Sequence, residues 1–274
     1  MKSIIKRAAR SVGYDIVRTS SQQDWTQSEN DLEPTFPVEA DKLPIFSNQT
    51  YSPASLRYVR PSWGDDHRLK YILYYLDLRG QRVLEPGPYM GQHSIVIEKL
   101  GASECISIES RPENIHRCRR VAKLYGLDRT KFVLQDIEEL AAGIVKPQFE
   151  SGFDLVFCVG VLYHMTNPGQ VLSWFLTQSS RLFLGTYYIE PKAPAYYLSP
   201  NFRDESYRFN GKEYKAKYWS ERVEDLTSGM SDYSVWPYEE DLIQLIHDAG
   251  YSTVHVLGKD LLNGLPHITI LSES

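Results

Sequence analysis

The sequence predicts an α/β fold in which a mostly parallel sheet carries helices on both faces. Three observations lead there. From residue 61 onward, short apolar runs alternate with stretches of helical periodicity, the spacing that builds strand–helix–strand units with parallel pairing and right-handed crossovers. The run Val83-Leu84-Glu85 ends in Pro86-Gly87-Pro88-Tyr89-Met90-Gly91 and then opens into a helix. Gly87 and Gly91 let that turn bend and let backbone approach a ligand where a Cβ would clash. Finally, four runs end in polar groups at one end of the sheet: Glu85, Glu109, Gln135-Asp136, and the stretch Gly160-Val161-Leu162-Tyr163-His164.

The elements follow in order. Residues 1–18 read as a short basic amphipathic helix, because Met1, Ile4, Ile5, Ala8, Ala9 and Val12 recur at helical spacing while Lys2, Lys6, Arg7 and Arg10 fall on the other face. Such a helix can lie on an anionic membrane surface, a peripheral contact at the inner face of a cytoplasmic membrane, or it can cap the protein's own pocket. Residues 19–60 read as an extended linker, with Pro34, Pro37 and Pro44 and an acidic bias from Asp24 to Asp41. The main domain occupies residues 61–274. Asp65-Asp66 cap a helix running to Leu78, and Gly80 stops it. Strand one (82–85) precedes a helix at 92–100; strand two (105–108) precedes a helix at 112–125 that Gly126 ends. Strand three (131–134), a helical piece at 138–142, strand four (153–159), a helix at 168–177 and strand five (182–188) continue the alternation. A segment of irregular character at 190–236 then leads to a helix at 239–249 and two strands, 254–257 and 267–271.

Composition bounds the function. The chain has 274 residues, 30 Lys and Arg against 35 Asp and Glu, and a formal net charge of -5, so it carries no bulk attraction for a phosphate backbone. Cys105, Cys118 and Cys158 are dispersed, with no spacing that would hold zinc; two fall in predicted strands as small core residues, and a reducing cytoplasm suits them. No apolar run is long enough to span a bilayer, and the N-terminus lacks the apolar core of a secretory signal.

The set Glu85, Gly87, Gly91, Glu109, Asp136 and Asp154 resembles the signature of the class I S-adenosylmethionine-dependent methyltransferases, over roughly residues 60–274. A dinucleotide site would need glycines at 87, 89 and 92, and Tyr89 and Gln92 stand there instead. The resemblance implies a Rossmann-like seven-stranded sheet whose last strand inserts antiparallel, and S-adenosylmethionine as cofactor. It places the methionyl end over the 87–91 turn, where Tyr89 occupies the usual middle glycine, with Glu85 orienting the turn or meeting the ammonium. Glu109 would hold the ribose hydroxyls and Asp136 the adenine amine, with Ile137 and Val159 beside them.

For a hydroxyl acceptor the site must also remove a proton. His164, just past strand four, is the first candidate base; Tyr163, His67 and Tyr187 are lesser ones. The segment 190–236 carries Tyr196, Tyr197, Phe202, Tyr207, Phe209, Tyr214, Tyr218, Trp219, Tyr233 and Trp236. It either walls the acceptor site as a lid or packs on its own core. Its seven Lys or Arg against eight Asp or Glu offer no phosphate-tracking stripe, and the cluster Arg117, Arg119, Arg120 and Lys123 is expected to face solvent. These features point to O-methylation of a small molecule, a sugar or glycoconjugate hydroxyl. Similarity to the tRNA wobble-uridine carboxymethylating enzymes, carried by Val161-Leu162-Tyr163-His164 and a late Trp-Pro pair, ranks second. A non-catalytic scaffold that kept the fold is the third reading.

Overall fold

The computed structural model describes residues 68–190 and 201–274. The expected helix at 1–18, the linker, the Asp65-Asp66 cap, His67, Tyr196 and Tyr197 lie outside the described residues.

A seven-stranded sheet in the order β3-β2-β1-β4-β5-β10-β9 carries the fold. Its strands are β1 (Arg82–Pro86), β2 (Glu104–Glu109), β3 (Thr130–Leu134), β4 (Leu155–Val159), β5 (Arg181–Tyr187), β9 (Thr253–Leu262) and β10 (Leu265–Glu273). The first five pair in parallel, and β10 runs antiparallel to both β5 and β9, as expected. The helices are α1 (Arg68–Tyr75), α2 (Gln92–Lys99), α3 (Pro112–Tyr125), α4 (Ile137–Ala141), α5 (Pro168–Gln178) and α6 (Glu239–Asp248).

Strand periodicity explains why helices cover both faces. Successive side chains point to opposite sides. In β4, Leu155, Phe157 and Val159 join the apolar layer of α1 and α2, with Tyr71, Ile72, Val96 and Ile97. Val156 and Cys158 join the opposite layer with Ile137, Leu140, Val171, Leu172, Phe175, Leu242 and Ile246 of α4, α5 and α6. A strand buried on both sides reads as a continuous apolar run, which is why β4 was legible. The order of connection reverses between β1 and β4, and ligand crevices of open α/β sheets form at that point, outside the carboxyl ends of the strands.

Two expectations need correction, and Asp154 of the signature finds its place. The helix expected to reach Leu78 ends at Tyr75; Leu78 instead drops into the core, 1% exposed, and Gly80, at φ 72, donates to the Gly101 carbonyl at 2.8 Å. The segment expected to be irregular holds an antiparallel three-stranded sheet, β6 (Phe202–Phe209), β7 (Lys212–Ser220) and β8 (Tyr233–Pro237). Its first hairpin turns on Asn210-Gly211, both at positive φ as a two-residue turn requires. Asp154, which belongs to the methyltransferase-like signature, sits at the far end of the sheet: it precedes β4, and its Oδ2 accepts the Arg82 N–H at 2.7 Å.

Candidate active site

A cavity of about 220 Å³ opens over the carboxyl ends of β1, β2 and β4. Gly87, Tyr89, Glu109, Asp136, Ile137, Val159, Tyr163 and His164 all line it; Glu85, Gly91 and Tyr187 do not.

The turn after β1 forms its floor. Gly87 adopts φ 63, and its N–H bonds the Ile108 carbonyl at 2.8 Å. A Cβ there would lie 2.3 Å from Val161 Cγ2, so only glycine leaves room. Tyr89 is also left-handed, at φ 54. The turn therefore keeps the backbone of a glycine with a tyrosine, a conformation that costs an L-residue about 1–2 kcal/mol. Glu109 helps hold it: Oε2 accepts the Tyr89 N–H at 3.3 Å and Oε1 the Arg111 N–H at 3.0 Å. One backbone donor on each oxygen leaves both oxygens with capacity for a pair of vicinal hydroxyls. Burial pushes the Glu109 carboxyl up, against those hydrogen bonds.

Asp136 caps α4 through Oδ1, which accepts from Glu138 N–H at 2.8 Å and Glu139 N–H at 3.1 Å. Glu138, the next acid, also lines the cavity, and its Oε1 accepts the Thr166 and Asn167 amides and the Thr166 hydroxyl. The only one of these acids with no place on the cavity wall is Glu85. It is 1% exposed, and its Oε2 accepts the hydroxyls of Ser94 at 2.5 Å and Ser107 at 2.6 Å. Burial dominates and pushes its carboxyl up. With the folded value above the ordinary 4.5, the folded state holds the proton where the unfolded chain has released it, so stability falls as pH rises from that value toward the folded one. Glu85→Gln is accordingly expected to gain stability relative to the parent as pH rises above the ordinary carboxyl value of 4.5 in thermal melts; a parent that gains instead overturns this reading of Glu85.

The wall beyond β4 starts from the 3₁₀ turn Leu162–His164. His164 Nδ1 lies 2.8 Å from Glu221 Oε1. Glu221 follows β7 and was missing from the sequence reading. Its side chain is 2% exposed, and Oε1 also accepts the Ser234 hydroxyl at 2.8 Å while Oε2 accepts the Gly229 N–H at 3.3 Å. Although burial acts to raise its pKa, the bonds from His164, Ser234 and Gly229 outweigh that and hold the carboxyl below its ordinary value. The Tyr163 ring lies tilted against that of His164, centroids 4.3 Å apart and planes at 49°. Burial pushes the Tyr163 hydroxyl up, so it can donate a hydrogen bond at neutral pH but not take a proton. Tyr187, flat on Trp236 with its hydroxyl on Asn263, belongs to the packing behind this wall.

Residues 226–230, in the loop from β7 to β8, also line the cavity. Arg111 Nη2 donates to the carbonyls of Ser228 at 3.2 Å and Gly229 at 2.8 Å, and Asn114 Nδ2 to that of Leu226 at 3.0 Å. These residues are the insertion's contribution to the cavity wall. The aromatic residues expected there pack elsewhere: Tyr207, Phe209 and Tyr214 are buried against α5 and α6, and Phe202 and Trp236 form a cluster with Tyr187. Of the two readings of the insertion, packing on its own core holds for them.

The geometry fits S-adenosylmethionine: a floor that a Cβ would fill, and acids after β2 and β3 with acceptor capacity. A family model described as a methyltransferase domain matches residues 77–215, just over half of the chain. The chain belongs to the class I S-adenosylmethionine-dependent methyltransferases. As such it is an enzyme, and S-adenosylmethionine is its cofactor. The ubiquinone biosynthesis O-methyltransferase of Xanthomonas oryzae pv. oryzae is 33% identical over 132 residues, 46% of this chain and 51% of that protein. The tRNA U34 carboxymethyltransferase of Campylobacter concisus is 26% identical over 150 residues, 53% and 49% of the two chains. The methyltransferase thus spans about half the length of the curated relatives it matches. Among solved structures, the N-terminal domain of EvdMO1 with S-adenosylhomocysteine bound aligns at TM-score 0.61 and 21% identity, over 86% of this chain and 94% of that one. The same domain has been crystallised in the presence of D-fucose, and aligns at TM-score 0.60 and 22% identity over the same shares. Among the described residues no helix is long and apolar enough to cross a membrane.

Proposed function

We propose that this methyltransferase O-methylates a hydroxyl of a small-molecule acceptor, a sugar or glycoconjugate hydroxyl. The observation that carries the reading is His164, on the cavity wall with Nδ1 on the buried Glu221 carboxylate. Bound S-adenosylmethionine supplies an electrophilic methyl on a positive sulfur. Glu109, Asp136, Ile137, Val159 and the Gly87–Tyr89 turn would hold it, with residues 226–230 on the same cavity wall. His164 then takes the proton that an alcohol must lose. A thiolate or carboxylate acceptor would have no use for that base. Two likenesses support the choice of oxygen and of a small acceptor: the curated relative named an O-methyltransferase, and the structural neighbour studied with D-fucose.

The second reading, tRNA, is favoured by the relatives named tRNA U34 carboxymethyltransferase. Against it stands charge. The exposed basic residues Arg119, Arg120 and Lys123 lie on α3, outside the cavity lining. Family membership favours either reading over a non-catalytic scaffold.

Tritium-labelled S-adenosylmethionine offered with a panel of sugars, phenols and bulk tRNA tests the proposal. Label in a sugar or phenol supports it, and label in tRNA moves the second reading to first. Cofactor binding is tested separately. With a micromolar dissociation constant, millimolar S-adenosylmethionine stabilises the fold by about 4 kcal/mol. Glu109→Ala is expected to weaken binding by about 1–3 kcal/mol in calorimetry, through loss of charge-assisted hydrogen bonds. Parental affinity in that variant would remove Glu109 from the cofactor site.

A further inference from the structure

Glu221 is a costly residue for its place. A buried carboxylate loses several kcal/mol of hydration, and an apolar side chain would fasten the same loop without that loss. Its neighbours suggest what the charge is for. Glu221 closes the base of the β7–β8 loop, its N–H on the Asp232 carbonyl at 2.9 Å. Ser234, in β8, donates to Oε1 and itself receives the Trp236 indole N–H at 3.3 Å. The Val235 N–H bonds the Met165 carbonyl at 2.9 Å, fixing β8 against the 3₁₀ turn that carries His164. The small sheet thus holds the carboxylate, and the large sheet brings the imidazole to it.

An ionised carboxylate only accepts hydrogen bonds. Its partner nitrogen on a neutral imidazole must therefore carry the proton, which puts N–H on Nδ1 and leaves the lone pair on Nε2. Nε2 makes no hydrogen bond among the described residues. The second oxygen reaches the other way, to the Gly229 amide, in the strap that Arg111 and Asn114 fasten beside Glu109. The strap also lies directly on the histidine: a Cβ at Gly229 would be 2.7 Å from the His164 carbonyl oxygen.

We propose that Glu221 is a positioning residue that keeps His164 in the Nδ1–H form, with Nε2 as the base, and ties that arrangement to closure of the 226–230 strap. The inference rests on the proposed role of His164. Charged or titratable groups around the ring are Glu221, Tyr163, Arg68 near the Tyr163 hydroxyl, Arg111 on the strap carbonyls, and Glu138 on the Thr166 and Asn167 amides. Among the described residues, Glu221 alone bonds the imidazole.

The test reads the histidine directly. Nitrogen-15 labelling of the ring nitrogens, with the His164 signals assigned through His164→Asn, gives the tautomer with and without S-adenosylhomocysteine. The parent is expected to show Nδ1–H. An amide at 221 cannot accept at both ends, so Glu221→Gln should either move the proton to Nε2 or expose the Gly229 amide to exchange at least tenfold faster. Glu221→Leu should do both. A parent with Nε2–H overturns the proposal whether or not either variant folds, and so does a Glu221→Gln protein with both signals unchanged. Calorimetry with S-adenosylhomocysteine separates the two claims: no binding would sink the cofactor assignment of the cavity, while the tautomer still decides the role of Glu221.

Discussion

His164→Ala is expected to slow methyl transfer to a hydroxyl acceptor by about 10²–10⁴-fold, the usual contribution of a positioned base, with S-adenosylmethionine affinity little changed. The separation follows from geometry. The groups assigned to the cofactor stand at or just past the carboxyl ends of β1, β2, β3 and β4, whereas the imidazole is held by Glu221 from the small sheet. No neighbour substitutes for it. Tyr163 lies against the ring, but burial pushes its hydroxyl up and keeps it protonated. Measuring kcat with the acceptor found in the label screen, and binding by calorimetry, checks both halves. A parental rate in His164→Ala would mean that the acceptor atom needs no base, which would move the chemistry from an alcohol toward an amine or a thiol. A lost rate accompanied by lost cofactor binding would place His164 in the cofactor site instead.

What could be read in the sequence was what neighbours in the chain decide. Gly126 after the apolar periodicity of α3 ends that helix in a left-handed cap, and Asp136 opens α4 by accepting two amides, both local effects of a few residues. The doubly buried run of β4 was legible for the same reason. The antiparallel place of β10 needed the family resemblance, because spacing alone does not orient a strand that follows a hairpin.

The site was legible only on its cofactor side. Glu109 and Asp136 stand at strand ends and announce themselves, but Glu221 is 57 residues from His164 and reaches it only because β7 pairs with β8 and β8 bonds the 3₁₀ turn. No local pattern marks that pairing, although Asn210-Gly211 was a hairpin signal that the density of aromatic residues obscured. Those aromatics misled in a second way. Apolar content alone does not tell a substrate wall from a sheet packed on its own core, and the alternation of β7, with Tyr214 and Ala216 buried on either side of the exposed Lys215, belongs to the second. Tyr89 shows the reverse case: a departure from the glycine pattern that leaves the backbone conformation in place, held by Glu109.

Gly87→Val should remove cofactor binding and lower stability by about 2–5 kcal/mol, for two separable reasons. A side chain at φ 63 pays about 1–2 kcal/mol for the left-handed backbone, and more for a β-branched residue. The added Cβ would also stand 2.3 Å from Val161 Cγ2, and Val161 is 6% exposed within the core layer under the 3₁₀ turn. Overpacking of that kind costs about 1–3 kcal/mol. Relief by movement of Val161 would displace Tyr163 and His164, so the damage reaches both halves of the site. Gly80→Ala provides the backbone cost alone, since Gly80 has φ 72 and nothing within 4 Å of a new Cβ. The pair Gly87→Ala with Val161→Ala removes the contact to Cγ2 while keeping the left-handed strain. Denaturant melts should therefore rank Gly80→Ala above Gly87→Ala, and calorimetry should find that removing the Val161 branch restores part of the cofactor affinity lost in Gly87→Ala. Equal losses in the two single alanine variants would show that the approach of Val161 to the turn is looser than the distance implies, and that backbone strain alone makes residue 87 a glycine.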